Sequence, residues 1–87
     1  MTHPNNPRPI VLEQIWVATL PDGTRCDAGS SYHLSEVERA AYVQQIASRL
    51  TGPDTEQEEP IGEPIPIHVP QHFYQEIVKA GGSYRVK

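Results

Sequence analysis

The apolar residues of this chain fall into three separated blocks, 10–20, 34–50 and 65–78, with polar stretches rich in proline and glycine between them. That distribution allows one core built from a few short elements. It does not suit a long helix, a repeat array or a chain too polar to collapse. Eighty-seven residues make one domain, and a chain of this size buries roughly 60–65% of the surface its unfolded form exposes. The expected organisation is a lead-in over 1–9, with three prolines and two asparagines, then a single α+β domain over 10–87.

The first block reads as a strand over 13–20. Gln14-Ile15-Trp16-Val17-Ala18-Thr19-Leu20 is rich in β-branched residues around one tryptophan and nearly continuous in apolar character. Pro21-Asp22-Gly23 then supplies turn chemistry, and a return strand is expected over 24–28. Gly29-Ser30-Ser31 reads as a break. In the second block Ser35-Glu36-Val37-Glu38 has the form of a capping box. Apolar positions 37, 40, 41, 43, 46, 47 and 50 predict a helix over 36–50, ended by Gly52 and Pro53.

Residues 53–64 read as a Pro-, Glu- and Gly-containing loop, long for a compact domain and for that reason a candidate for binding. Ile65-Pro66-Ile67-His68-Val69 alternates, and Pro66 sends it to a sheet edge. Pro70 introduces a helix over 71–80 with Phe73, Ile77 and Ala80 on one face, Gly81-Gly82 stops it, and 83–87 form a terminal strand. The order is β-β-α-loop-β-α-β: a small, mainly antiparallel sheet with two helices packed on it.

The net charge is −4, and its placement says more than its sum. Asp54, Glu56, Glu58, Glu59 and Glu63 lie together without a base, whereas the last nine residues hold Lys79, Arg85 and Lys87 without an acid. Duplex nucleic acid would be repelled by the acidic segment unless the contact lay far from it. With one cysteine, Cys26, no intramolecular disulfide forms. No apolar run approaches the roughly 18 residues of a membrane span. The N-terminus lacks the pattern of a signal peptide, and a cytoplasmic location is expected.

Few residues suggest chemistry. Cys26 beside Asp27 would need a histidine within reach to act as a nucleophile, and reads instead as a buried or half-buried strand residue. His68 and His72 are four apart, but Pro70 separates them and Val69 stands where a metalloprotease pattern needs glutamate. They and His33 read as surface or partly buried side chains. The acidic segment lacks a calcium-loop pattern. No cofactor, metal or catalytic residue is expected.

The stretch Ile65-Pro66-Ile67-His68-Val69-Pro70-Gln71-His72-Phe73-Tyr74-Gln75-Glu76-Ile77 is similar to the strand and first helix of ribbon-helix-helix regulators, a likeness that implies strand pairing in a DNA groove. It spans thirteen residues, lacks the outward basic residues such a contact uses, and is followed by no second helix. The expectation drawn from the residues is a non-enzymatic protein-binding module, an inhibitor or accessory factor of a larger machine. Phages and plasmids encode many small chains of this kind, anti-CRISPR proteins among them, although no motif here specifies one. The candidate contact residues are Asp54, Glu56, Glu58, Glu59 and Glu63 in the acidic segment, with Tyr74, Tyr84, Arg85 and Lys87 near the C-terminus. A homodimer through a sheet edge is a further expectation. The alternative is a dimeric nucleic-acid-binding regulator that uses the basic terminal strand.

Overall fold

The computed structural model describes residues 9–49 and 56–86. The chain runs β1 (Ile10–Thr19), β2 (Arg25–His33), α1 (Glu36–Arg49), β3 (Gln57–His68), α2 (Gln71–Lys79) and β4 (Ser83–Val86). The strands form one sheet in the order β3-β1-β2-β4, each neighbouring pair antiparallel. The α+β class and the order of elements match the sequence expectation.

The hairpin between β1 and β2 turns where Pro21-Asp22-Gly23 predicts. Gly23 adopts φ 92°, its N–H donates to the Leu20 carbonyl, and the Asp22 carboxylate accepts from the Thr24 N–H at 2.9 Å. At the start of α1 the Ser35 hydroxyl donates directly to the Glu38 carboxylate, a variant of the expected capping box. Helix α2 ends as Gly81 and Gly82 take positive φ and their N–H groups return to the carbonyls of Val78 and Ile77.

Two segments depart from expectation. Residues 57–64, read as loop, are strand, and β3 pairs with β1 from Gln57 to His68. Residues 53–55 lie outside the described residues, as do 1–8, the Leu50 end of the first predicted helix, and Lys87. The Gly29-Ser30-Ser31 break is also absent, because β2 continues through it with an irregularity opposite Trp16. Both departures have one cause. A bulge absorbs the residues that do not suit a regular ladder, so glycine and proline stay within a strand instead of ending it.

Register fixes which residues share a face. Gln14, Trp16 and Ala18 point to the side covered by α1, where Trp16, Ala18, Ala28 and Ile46 are buried and Tyr42 and Val43 pack on them. The Tyr42 ring meets Trp16 edge-on at 5.6 Å. Val11 points to the other side, where it packs with Val69 and Ile77 beneath α2, joined by Tyr32, Ile67, Phe73, Tyr74 and Tyr84. The two helices thus cover opposite faces of one sheet, and each closes its own small core.

Candidate partner-binding face

The α1 side of the sheet is sealed by a chain of hydrogen bonds. Trp16 Nε1 donates to Ser31 Oγ at 2.7 Å, and Ser31 lies 2.6 Å from His33 Nε2. His33 Nδ1 lies 2.7 Å from Ser83 Oγ, which donates to the Glu38 carbonyl at 3.4 Å. With the tryptophan as a fixed donor, the Ser31 hydroxyl donates its hydrogen bond to Nε2, and the neutral histidine carries its proton on Nδ1 and donates it to Ser83 Oγ. Every member is satisfied with His33 neutral and fully buried. Burial, aided by the positive charge of Arg39, pushes the His33 pKa down to about 4. The Ser31–His33 pair has the residue types of an acyl-transfer site, but no face of it meets solvent.

Arg85 closes the other end of the same layer. Its guanidinium lies 4.7 Å from the Trp16 ring centroid and donates to Tyr42 Oη, the Ala28 carbonyl and Glu58 at 3.0, 2.9 and 2.6 Å. Burial works against its charge, yet the hydrogen bonds to Tyr42 and Glu58 hold its pKa above the ordinary value. The side chains of Arg85 and Glu58 are only 13% and 11% exposed. Two contact residues assigned to different patches therefore meet each other, one from each edge of the sheet.

The remaining candidates are scattered. Glu59 pairs with Arg25 at 3.0 Å, and Glu56 and Glu63 are exposed. Tyr74 and Tyr84 are half-buried in the α2 core, Tyr84 edge-on to Phe73 at 5.5 Å. Asp54 and Lys87 lie outside the described residues. His68 and His72 are exposed and His33 is buried, so the three histidines do not converge. No group of three or more metal-ligating side chains occurs among the described residues. Cys26, expected to be at least half-buried, is exposed.

The α2 side of the sheet is covered at one end only. A nine-residue helix is about 14 Å long at 1.5 Å per residue, whereas the ten residues of β1 extend about 33 Å. Beyond α2, the register sets Ile61, Ile15, Ser30 and Val86 in one row across all four strands. Ile61 and Val86 are 40% and 42% exposed, and Ile65 in the adjoining row is 53% exposed. Val17 lies in the next row, between Glu59 and Asp27. The result is an apolar band on an open sheet face with charged groups beside it.

Gln14, which sequence reasoning did not single out, shapes this band from behind. The β1–β3 register slips between Glu13 and Ile15, where Ile61 to Ile65 bulge and Gly62 adopts φ 71°. Gln14 is 1% exposed. Its Nε2 donates to the carbonyls of Ile61 and Gly62 at 3.0 and 3.2 Å, and Arg39 holds its Oε1 at 3.2 Å. A polar residue amid an apolar run, two positions before the tryptophan, was the available signal.

The sheet edges are guarded. Proline suits an edge strand only where its nitrogen faces away from the neighbour, and Pro60, Pro64 and Pro66 share one parity in β3. Its outer edge therefore lacks a donor at three positions. On the opposite side β4 covers only Ser30–His33 of β2. Beyond it, the Ala28 carbonyl accepts from Arg85 and the Gly29 N–H donates to Asp27. No helix among the described residues is long and apolar enough to cross a membrane. Comparison with protein-family models, with curated proteins and with solved structures finds no match.

Proposed function

We propose that this protein is a non-enzymatic protein-binding module whose contact surface is the open half of the α2-side sheet face. One observation carries the reading: Ile61, Ile15 and Val86 cross the sheet in a row that α2 is too short to cover. Contiguous apolar surface bordered by polar groups marks interaction sites on small proteins. The sealing of Ser31 and His33 supports a structural rather than a catalytic part for that pair. A role as inhibitor or accessory factor of a larger machine, of the phage or plasmid type, suits a small α+β domain with an open apolar sheet face. A cytoplasmic setting suits the exposed, unpaired thiol of Cys26, which stays reduced there. The nucleic-acid alternative relies on a basic terminal strand whose Arg85 is instead turned inward onto Glu58 and Trp16.

Paired capture experiments from extract of the source cell test the proposal. Wild-type protein, Ile61→Lys and Val37→Lys are compared. Val37 is 75% exposed on α1, away from the open face, and serves as the control. The expected outcome is that Ile61→Lys loses a specific protein that both wild type and Val37→Lys retain. Retention by Ile61→Lys together with loss in Val37→Lys would move the site to α1 and overturn the proposal.

A further inference from the structure

Three kinds of occupant could fill the open face: another part of this chain, a second copy, or a different molecule. Within these 87 residues, the segments outside 9–49 and 56–86 hold two large apolar side chains, Met1 and Leu50, too few to fill the band. Charge decides between the other two. Glu13 stands in the row between Ile65 and Tyr32, its carboxylate accepting from the Tyr32 hydroxyl at 3.0 Å. Glu59 and Asp27 flank Val17 on the opposite side of the apolar band. Among the described residues the base beside these rows is Arg25, one row further on opposite Thr19 and already paired with Glu59. Three carboxylates against one guanidinium leave a net charge of −2, placed on both sides of the band.

A second copy docked face to face would double that negative charge around a desolvated centre, and like charges at an interface are costly. Association through a continuous sheet is opposed on one side by the proline-bearing edge of β3; on the other, β4 offers an edge of only four residues, and the Ala28 carbonyl and Gly29 N–H of β2 beyond it are already taken by side chains. We infer that the occupant is a basic protein segment. Its aliphatic side chains lie against Ile15, Ile61 and Val86, and lysine or arginine on both sides faces Glu13 and Asp27. The inference rests on the open face being the contact surface, and adds the chemistry of what it accepts.

Selection of a random peptide library, displayed on phage, against the immobilised full chain tests both levels separately. The expected result is enrichment of peptides with aliphatic residues bracketed by lysine or arginine. Their affinity should fall about tenfold or more in Ile61→Lys, as for a central anchor. It should fall about two- to fivefold in Glu13→Gln and in Asp27→Asn, as for rim charges. Both conservative variants keep the acceptors for Tyr32 and Gly29, and unchanged circular dichroism and melting confirm that each variant is folded. Enriched peptides without a basic excess, still lost in Ile61→Lys, would overturn the charge inference and leave the face. Peptides that bind Ile61→Lys normally would overturn the face itself. Failure to enrich any peptide would count against the inference. A dimer in sedimentation equilibrium that Ile61→Lys abolishes would replace the basic segment with a second copy.

Discussion

Gln14 occupies a buried place in β1 where strand alternation would suit an aliphatic residue, and its amide holds two carbonyls of the β3 bulge. Gln14→Leu keeps the volume but leaves those carbonyls unpaired, which should cost about 1–3 kcal/mol in urea denaturation. Arg85 is the harder case for sequence reading, because a terminal basic residue beside a tyrosine reads as surface. Removing it as Arg85→Met takes the guanidinium from Glu58 in a largely dry site and should cost about 3 kcal/mol, also measured by urea denaturation. Arg85→Met combined with Glu58→Leu should recover much of that loss, since neither charge is then left alone. His33 links the network to pH. Its pKa is about 4 in the fold and about 6.5 when unfolded, so between those values the unfolded chain binds the extra proton. The stability held by neutral His33 is complete above pH 6.5 and is lost as pH falls toward 4, by about 3 kcal/mol over the whole window. Glu36 and Glu38 pull the other way, but burial outweighs them. Denaturation curves at several pH values should show this slope in wild type and its absence in His33→Gln.

Among the elements, those specified by local chemistry were legible and the one specified by its neighbour was not. The Pro21-Asp22-Gly23 turn, the Ser35–Glu38 cap and the Gly81-Gly82 stop each depend on a few adjacent residues, and each stands where the sequence places it. Strand β3 depends on β1. Its prolines and Gly62 read as loop because nothing local shows that the proline nitrogens face outward, or that a bulge lets Gly62 remain in the ladder. The same prolines have a testable consequence. Pro64→Val with Pro66→Val restores two outward donors and β-branched side chains to an exposed edge, and should promote self-association visible as concentration-dependent light scattering. The wild-type chain under the same conditions should show none.

At the scale of the molecule, the candidate site was invisible in the sequence because it is a property of register. Ile15, Ile61 and Val86 belong to three strands, and only pairing across the sheet sets them in one row. The acidic segment stands out in the sequence for its charge, but Glu58 and Glu59 divide between the two faces: Glu58 turns to Trp16 and Arg85, and Glu59 borders the apolar band. The central claim, that half of one sheet face stands open, can be tested before any partner is known. Methyl-labelled protein is titrated with a soluble gadolinium chelate, and the relaxation enhancement of each methyl group is read by NMR. The account predicts strong enhancement at Ile61, Ile65 and Val86 and weak enhancement at Val11, Ile46 and Ile77, unchanged on dilution. Protection of Ile61 and Ile65 to the level of Ile77 would contradict it, because something else in the chain, or a second copy, would then already cover the face.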